Sequence, residues 1–148
     1  MRHAAALHAA IGASDFERPL SARGRQTAAE AARELAAAGV KVERLLYSPA
    51  RRTRDTAAIV ARELSLEAAA LDAVPELYAA SVPSIRESIE RLHGDARVLM
   101  LIGHNPGISD MGRKLASGLS HAHLQTAEFW RLPFDAARWR LLTRPAEA

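Results

Sequence analysis

With 148 residues, 49% of them hydrophobic and 25% charged, the chain is long enough for one packed core and too apolar to remain disordered. It has no cysteine, which excludes disulfides and thiolate metal sites, and no apolar run near the roughly 20 residues of a membrane-spanning helix. The net charge of +3 comes almost wholly from arginine, Lys41 and Lys114 being the only lysines, and none of the few aromatic residues (5%) sits beside the cluster Arg51, Arg52 and Arg54; this composition suits a small anionic substrate and lacks the stacking platform of a single-strand nucleic-acid binder.

The chain opens on "MRHAAALHAA", an Arg-His pair with one residue before it. His3 and His8 interrupt the Ala-rich start, and Asp15, Glu17 and Arg18 follow, a poor signal peptide that leaves a cytoplasmic protein as the expectation. Ser21 to Ala38 is rich in strong helix formers, with Gly39 at the position after the helix end. "VERLLY", residues 42–47, reads as a short strand. Pro49 to Leu64 reads as a second helix, with Ser48 as N-cap and Pro49 in the first turn. Leu66 to Val74 holds a short strand, and Pro83 to Leu92 a third helix. "RVLMLI", residues 97–102, is a near-continuous apolar run, as in a strand buried on both faces. Pro106 to Leu115 is a fourth helix, capped by Asn105. Two strand-like pieces, "AEFWRL" (127–132) and "ARWRLL" (137–142), flank "PFDA" and would form a hairpin or adjacent edge strands. Alternating strands and helices predict a single α/β domain over residues 1–148, with a mostly parallel sheet flanked by helices and ligands at the carboxyl ends of its strands.

Two segments share that layout. "LLYSPARR" and "LMLIGHNPG" each run from a strand through a proline-containing turn into a helix. Each places a cationic or polar side chain, Arg52 or His104, where free helix N–H groups and the helix dipole attract an anion. An arginine fork matches phosphate oxygens, and an imidazole can donate to them. Taken alone, such an arginine is an ordinary solvated residue, and Gly-His-Asn-Pro is also a good turn.

Together with the amino terminus the segments say more. "RHA" at 2–4, "DFERPLSARG" at 15–24, "SPARRTRDTA" at 48–57, "PELY" at 75–78 and "GHNPG" at 103–107 follow in order, and the chain resembles the histidine phosphatase superfamily, in particular its short phosphohistidine-phosphatase-like branch, from residue 2 to about residue 130. The resemblance implies a three-layer, phosphoglycerate-mutase-like fold and a metal-independent phosphatase that needs no cofactor. It implies His3 as the nucleophile that accepts the phosphoryl group, Arg2 and Arg52 as phosphate clamps, and His104 as the second histidine, binding phosphate opposite the nucleophile. The chemistry agrees: phosphoryl transfer asks mainly for positioning and charge stabilisation, and a neutral imidazole nitrogen splits hydrolysis into two displacements. His3 must then be deprotonated at the attacking nitrogen, its other nitrogen donating to a backbone carbonyl.

Glu76 of "PELY" is the candidate general acid, with a simple loop ion pair as the competing reading. Asp15 and Arg18 are candidates to order a loop over the site, Arg18 also as a substrate contact. Ser21 caps the helix after it. Arg51, Arg54, His8 and His93 read as surface residues. The pair His121 and His123 lacks the supporting ligands of a metal site, and Thr126 lies near the pocket in relatives or simply begins a strand.

Two departures stand out. Ala4 replaces the usual glycine of Arg-His-Gly, and the apolar residues that should precede Arg2 as a central strand are missing. A central strand cannot be dropped without exposing its neighbours' backbone groups, so the expectation is a chain that truly starts upstream of Met1; the alternative is a loose site. The expected substrate is phosphohistidine on a protein or a small phosphoester. A phosphoglycerate-type mutase is less favoured because the chain is short. A catalytically weak phosphate-binding or protein-interaction module of the same fold is the competing function, and a nucleic-acid binder is more remote.

Overall fold

The computed structural model describes residues 1–116, 119 and 122–132. Its regular elements alternate: α1 (Ala22–Ala37), β1 (Arg44–Tyr47), α2 (Arg51–Glu63), β2 (Leu71–Ala73), α3 (Val82–Leu92), β3 (Leu99–Ile102) and α4 (Gly107–Leu115), with 3₁₀ turns at Asp15–Glu17, Ala68–Ala70 and Pro75–Leu77. The three strands form a parallel sheet in the order β2-β1-β3, with Leu45 beside Leu71 on one flank and Met100 on the other.

Alternation along the strands makes three layers. Successive strand residues point to opposite faces, and Leu45 joins one core with α1 (Ala28, Ala32, Leu35) and α2 (Ala57, Val60), whereas Leu46 joins a second with α3 (Ile85, Ile89) and Met111 of α4. On β3, Met100 and Ile102 belong to the first core and Leu99 and Leu101 pack on the second. Both faces of the sheet are therefore covered by helices, as parallel sheets require. No helix among the described residues is long and apolar enough to cross a membrane.

Helix ends follow their local signals. The Ser21 hydroxyl accepts from the Gly24 N–H at 3.0 Å, and Gly39 takes φ of +69° just past α1, the left-handed conformation that suits glycine. Ser81 caps α3 in the same way through Ser84. Two expected caps are absent. Ala50 precedes α2 and Pro106 precedes α4, neither with a side-chain cap bond. Ser48 Oγ takes only a long bond from the Ala50 N–H (3.4 Å) ahead of the helix, and both Ser48 and Asn105 make their shorter bonds in the site described below.

The segment "AEFWRL" is not a strand. Ala127 and Glu128 instead pair with the chain's first residues: the Ala127 N–H donates to the His3 carbonyl at 3.2 Å, and the Arg2 N–H to the Glu128 carbonyl at 3.0 Å. The other flank of the same residues lies along β3. Arg2 forms a parallel bridge with Gly103; the His3 N–H donates to the Gly103 carbonyl (3.1 Å), the Gly103 N–H to the Met1 carbonyl (3.2 Å), and the Met1 amino group to the Leu101 carbonyl (2.8 Å). Three residues thus lie beside β3, bonded to Leu101 and Gly103 on one side and to Ala127 and Glu128 on the other, a single bridge where the sequence predicts a truncated central strand. The predicted second tail piece at 137–142 lies outside the described residues.

Candidate active site

The carboxyl ends of β1 and β3 and the Met1–His3 segment converge, as ligand sites do in parallel sheets. Ser48 follows β1, Gly103 and His104 follow β3, and Arg2-His3 lies alongside. Ala4 is fully buried in the first core, and its N–H donates to Thr56 Oγ1 (3.1 Å), which itself donates to the Arg52 carbonyl (2.6 Å). A methyl group in place of glycine's hydrogen is therefore accommodated, and Thr56 ties the segment carrying His3 to α2.

Hydrogen-bond partners fix the tautomer of His3. Its Nδ1 lies 2.8 Å from the Ala4 carbonyl oxygen, which can only accept, so Nδ1 carries the proton. Its Nε2 receives the Arg52 Nε–H at 3.3 Å, and a guanidinium can only donate, so Nε2 holds a lone pair. Burial, helped by the charges of Arg52 and Arg2 and opposed by the bond to Ala4, lowers the His3 pKa from 6.5 to about 4. The ring is neutral at physiological pH.

His104 lies 5.1 Å from His3 between ring centroids, tilted by 57°. It is 7% exposed. Its Nε2 lies 2.8 Å from Ser48 Oγ and 3.4 Å from Thr53 Oγ1, and its Nδ1 faces the Arg52 Nη2–H at 3.3 Å. Burial first, then the neighbouring His3 and Arg52, lowers its pKa to about 3. Ser48, predicted as a helix cap, is instead a fully buried orienter of this ring.

Arg52 is only 6% exposed although it lies in the first turn of α2. Besides both histidines it donates to the Asp15 carbonyl (Nη1, 2.6 Å) and to Asp15 Oδ2 (Nη2, 3.0 Å). Asp15 also accepts from Arg18 Nη1 (2.9 Å) and the Tyr78 hydroxyl (3.1 Å); the Arg18 bond foremost, with Arg52 and Tyr78, holds its carboxyl down to about 2. Tyr78 packs edge-on against His104 at 5.4 Å and against Phe16 at 5.1 Å. Arg2 donates through Nη1 to the Leu124 carbonyl at 3.1 Å, which Asn105 Nδ2 also reaches at 2.9 Å. The buried Arg2 Nε–H has no partner among the described residues, and a donor left so costs free energy unless a ligand accepts from it.

The structure thus brings Arg2, His3, Arg52 and His104 together, with Arg18 linked to them through Asp15. It does not bring Glu76 there. That side chain, about half exposed, takes the Arg91 Nη2–H at 3.0 Å on α3, because the turn Pro75–Leu77 buries Leu77 and directs Tyr78 to the cluster. Sequence reasoning passed over Tyr78, Thr53 and Thr56. Thr53 and Thr56, one and four residues after Arg52 and fully buried, mark a polar stripe on one face of α2, a signal readable at helical spacing. Among the described residues no three His, Cys, Asp or Glu side chains gather as metal ligands; His121 lies outside them.

Comparison with known proteins places the chain in a family and a fold. A family model of the histidine phosphatase superfamily, branch 1, matches residues 1–97. An uncharacterised protein of a Picosynechococcus strain is 32% identical over 146 residues, covering 93% of this chain and 84% of the relative. A solved structure assigned as the phosphohistidine phosphatase SixA of Agrobacterium tumefaciens superposes with a TM-score of 0.71 at 28% identity, covering 78% of this chain and 73% of that one. The protein histidine phosphatase SixA complexed with tungstate gives 0.71 at 27% identity over 89% of this chain and 80% of that one. The chain belongs to the histidine phosphatase superfamily, in the short branch of which SixA is a member.

Proposed function

We propose that this phosphatase works through a covalent phosphohistidine at His3, without a metal ion, and that its substrate is phosphohistidine on a protein. The observation that carries the reading is the lone pair of His3 Nε2, fixed by the Nδ1–H bond to the Ala4 carbonyl and accepting the Arg52 Nε–H in the free protein, beside the guanidinium proposed to bind phosphate. In the first displacement the Nε2 lone pair forms a bond to phosphorus while the bond from phosphorus to the substrate's nitrogen breaks, and the leaving imidazole takes a proton from solvent. In the second, water attacks phosphorus, the bond to Nε2 breaks, and the water proton goes to solvent. Arg2 and Arg52 balance the charge on the equatorial oxygens in both steps. His104 Nδ1 carries a lone pair in the free protein, so donating to a phosphoryl oxygen requires it to take up a proton; a bound dianion supplies the charge that favours this.

The absence of a poised acid among these contacts supports the phosphoramidate over the ester. Asp15 is held ionised by its three donors and Glu76 is committed to Arg91. An alkyl phosphoester leaves as an alkoxide and needs a proton donor, whereas phosphohistidine has a far better leaving group. The likeness to the protein histidine phosphatase SixA points the same way.

Steady-state hydrolysis of a phosphohistidine peptide and of an alkyl phosphate, by the native protein, His3→Ala and Glu76→Gln, tests this. The expected result is turnover of the peptide far above that of the ester, abolished in His3→Ala and within about twofold in Glu76→Gln, in line with small effects at exposed positions. Equal turnover of both substrates with a large loss in Glu76→Gln would overturn it. Phosphate binding without turnover of either would favour the binding module.

A further inference from the structure

Arg52 spends its fork on the chain itself. Its two terminal nitrogens, the pair that would meet two phosphoryl oxygens, both go to Asp15: Nη1 to the carbonyl at 2.6 Å and Nη2 to Oδ2 at 3.0 Å. The partners are unequally placed. The Arg52 side chain is 8% exposed and that of Asp15 53%. Asp15 ends a loop whose base is clamped, since Ala6 bridges Leu20, the Leu7 N–H donates to the Pro19 carbonyl at 2.9 Å, and Arg18 Nε donates to the Leu7 carbonyl at 2.7 Å. Between these points residues 7–15 are all exposed. The loop meets the site through the Asp15 carbonyl and carboxylate and through Phe16 against Tyr78.

We propose that Asp15 is an internal competitor for the phosphoryl group: its carboxylate occupies one arm of the Arg52 fork and its carbonyl the other in the free enzyme, and the substrate must displace both. The proposal rests on Arg52 being a phosphate-binding residue. A phosphoryl dianion carries more charge than the carboxylate and offers more acceptor oxygens, so it wins the fork, whereas a monoanion has no such advantage. Asp15 thereby sets a charge threshold on what the site accepts. The free enzyme meanwhile keeps a buried guanidinium paired, where an unpaired one would be costly. On displacement Asp15 keeps its Oδ1 bond to Arg18, three residues along the same turn, so the loop shifts without leaving its base. The other groups facing Asp15 are Tyr78, Arg18 and, through Arg52, His3 and His104. Because the carboxyl is held near 2, the exchange is one anion for another and does not depend on Asp15 protonation at neutral pH.

Calorimetric titration of inorganic phosphate at pH 7.5 into the native protein, Asp15→Asn, Asp15→Ala and Arg52→Ala tests the proposal; the substituted Asp15 side chain is largely exposed, so both of its variants are expected to fold. Releasing a partly exposed ion pair should tighten phosphate by about twofold to fivefold in both Asp15 variants, while Arg52→Ala loses binding. Unchanged or weaker binding in the Asp15 variants, with Arg52→Ala still losing it, would overturn the competitor and leave the site assignment standing. Undiminished binding in Arg52→Ala would overturn both.

Discussion

Lowering the pH of the free protein from 7.5 to 4 sets His3 and His104 against their surroundings. Burial, with Arg52 and Arg2 adding repulsion, puts the His3 pKa at about 4 rather than 6.5, and burial with His3 and Arg52 puts that of His104 at about 3. An unfolded histidine near 6.5 binds a proton that the folded one refuses. Between pH 6.5 and 4 the unfolded state therefore carries more protons, and stability falls as the pH falls. The contribution is complete above pH 6.5 and is lost through that window. At about 1.4 kcal/mol for each tenfold weakening of proton binding, His3 alone accounts for a loss on the order of 3 kcal/mol. The assay is NMR of the histidine ring Cε1–H resonances over this pH range, with His3→Gln to assign the His3 signal and urea unfolding at each pH. The expected result is a His3 resonance unmoved down to pH 5, with stability declining from pH 6.5. A His3 midpoint at 6 to 7 would refute the reasoning, because the ring would then be substantially charged near neutrality and lack the lone pair that attacks phosphorus.

Two substitutions probe how the site is held. Ser48→Ala removes the 2.8 Å partner of His104 Nε2 and leaves only Thr53 at 3.4 Å; a buried donor so deprived costs about 1–3 kcal/mol, read as a lower melting temperature, and misplacing the ring should cut kcat/KM about tenfold or more. Unchanged melting and turnover would show that Ser48 does not hold the ring. Gly24→Ala drives a Cβ into the Ala5 carbonyl oxygen, well inside van der Waals contact, forcing α1 away from the chain two residues past His3 and destabilising by about 3 kcal/mol; an unchanged denaturation midpoint would show that this contact is not tight.

The layers of the fold were legible because hydrophobic period and punctuation agree. Gly39 after α1, the alternation that separates Leu45 from Leu46, and the apolar run 99–102 each state their element locally. That Arg52, His3 and His104 meet beside Arg2 is legible from ordered motifs. What stayed hidden depends on choices between partners far apart in sequence. Ser48 and Asn105 have the chemistry of caps, but tertiary bonds to His104 and to Leu124 engage their side chains, Ser48 keeping only a 3.4 Å bond from the Ala50 N–H. Glu76 and Tyr78 are two residues apart, and only the turn that buries Leu77 decides which faces the site. Asp15 was readable as a loop residue, but its bonds to Arg52, 37 residues away, follow from no local signal. The Met1–His3 segment is likewise supported by Gly103 and Glu128, which no reading of the first residues alone could supply.

The central claim is that His3 carries the phosphoryl group. Its most direct test is to incubate the protein with a small phosphoramidate donor, quench in alkaline denaturant, where phosphohistidine survives, and map the label by mass spectrometry beside His3→Ala. Phosphate on His3 of the native protein and none in the variant is the predicted result. A folded native protein that turns the donor over with no label, or a label that persists in His3→Ala, would contradict it.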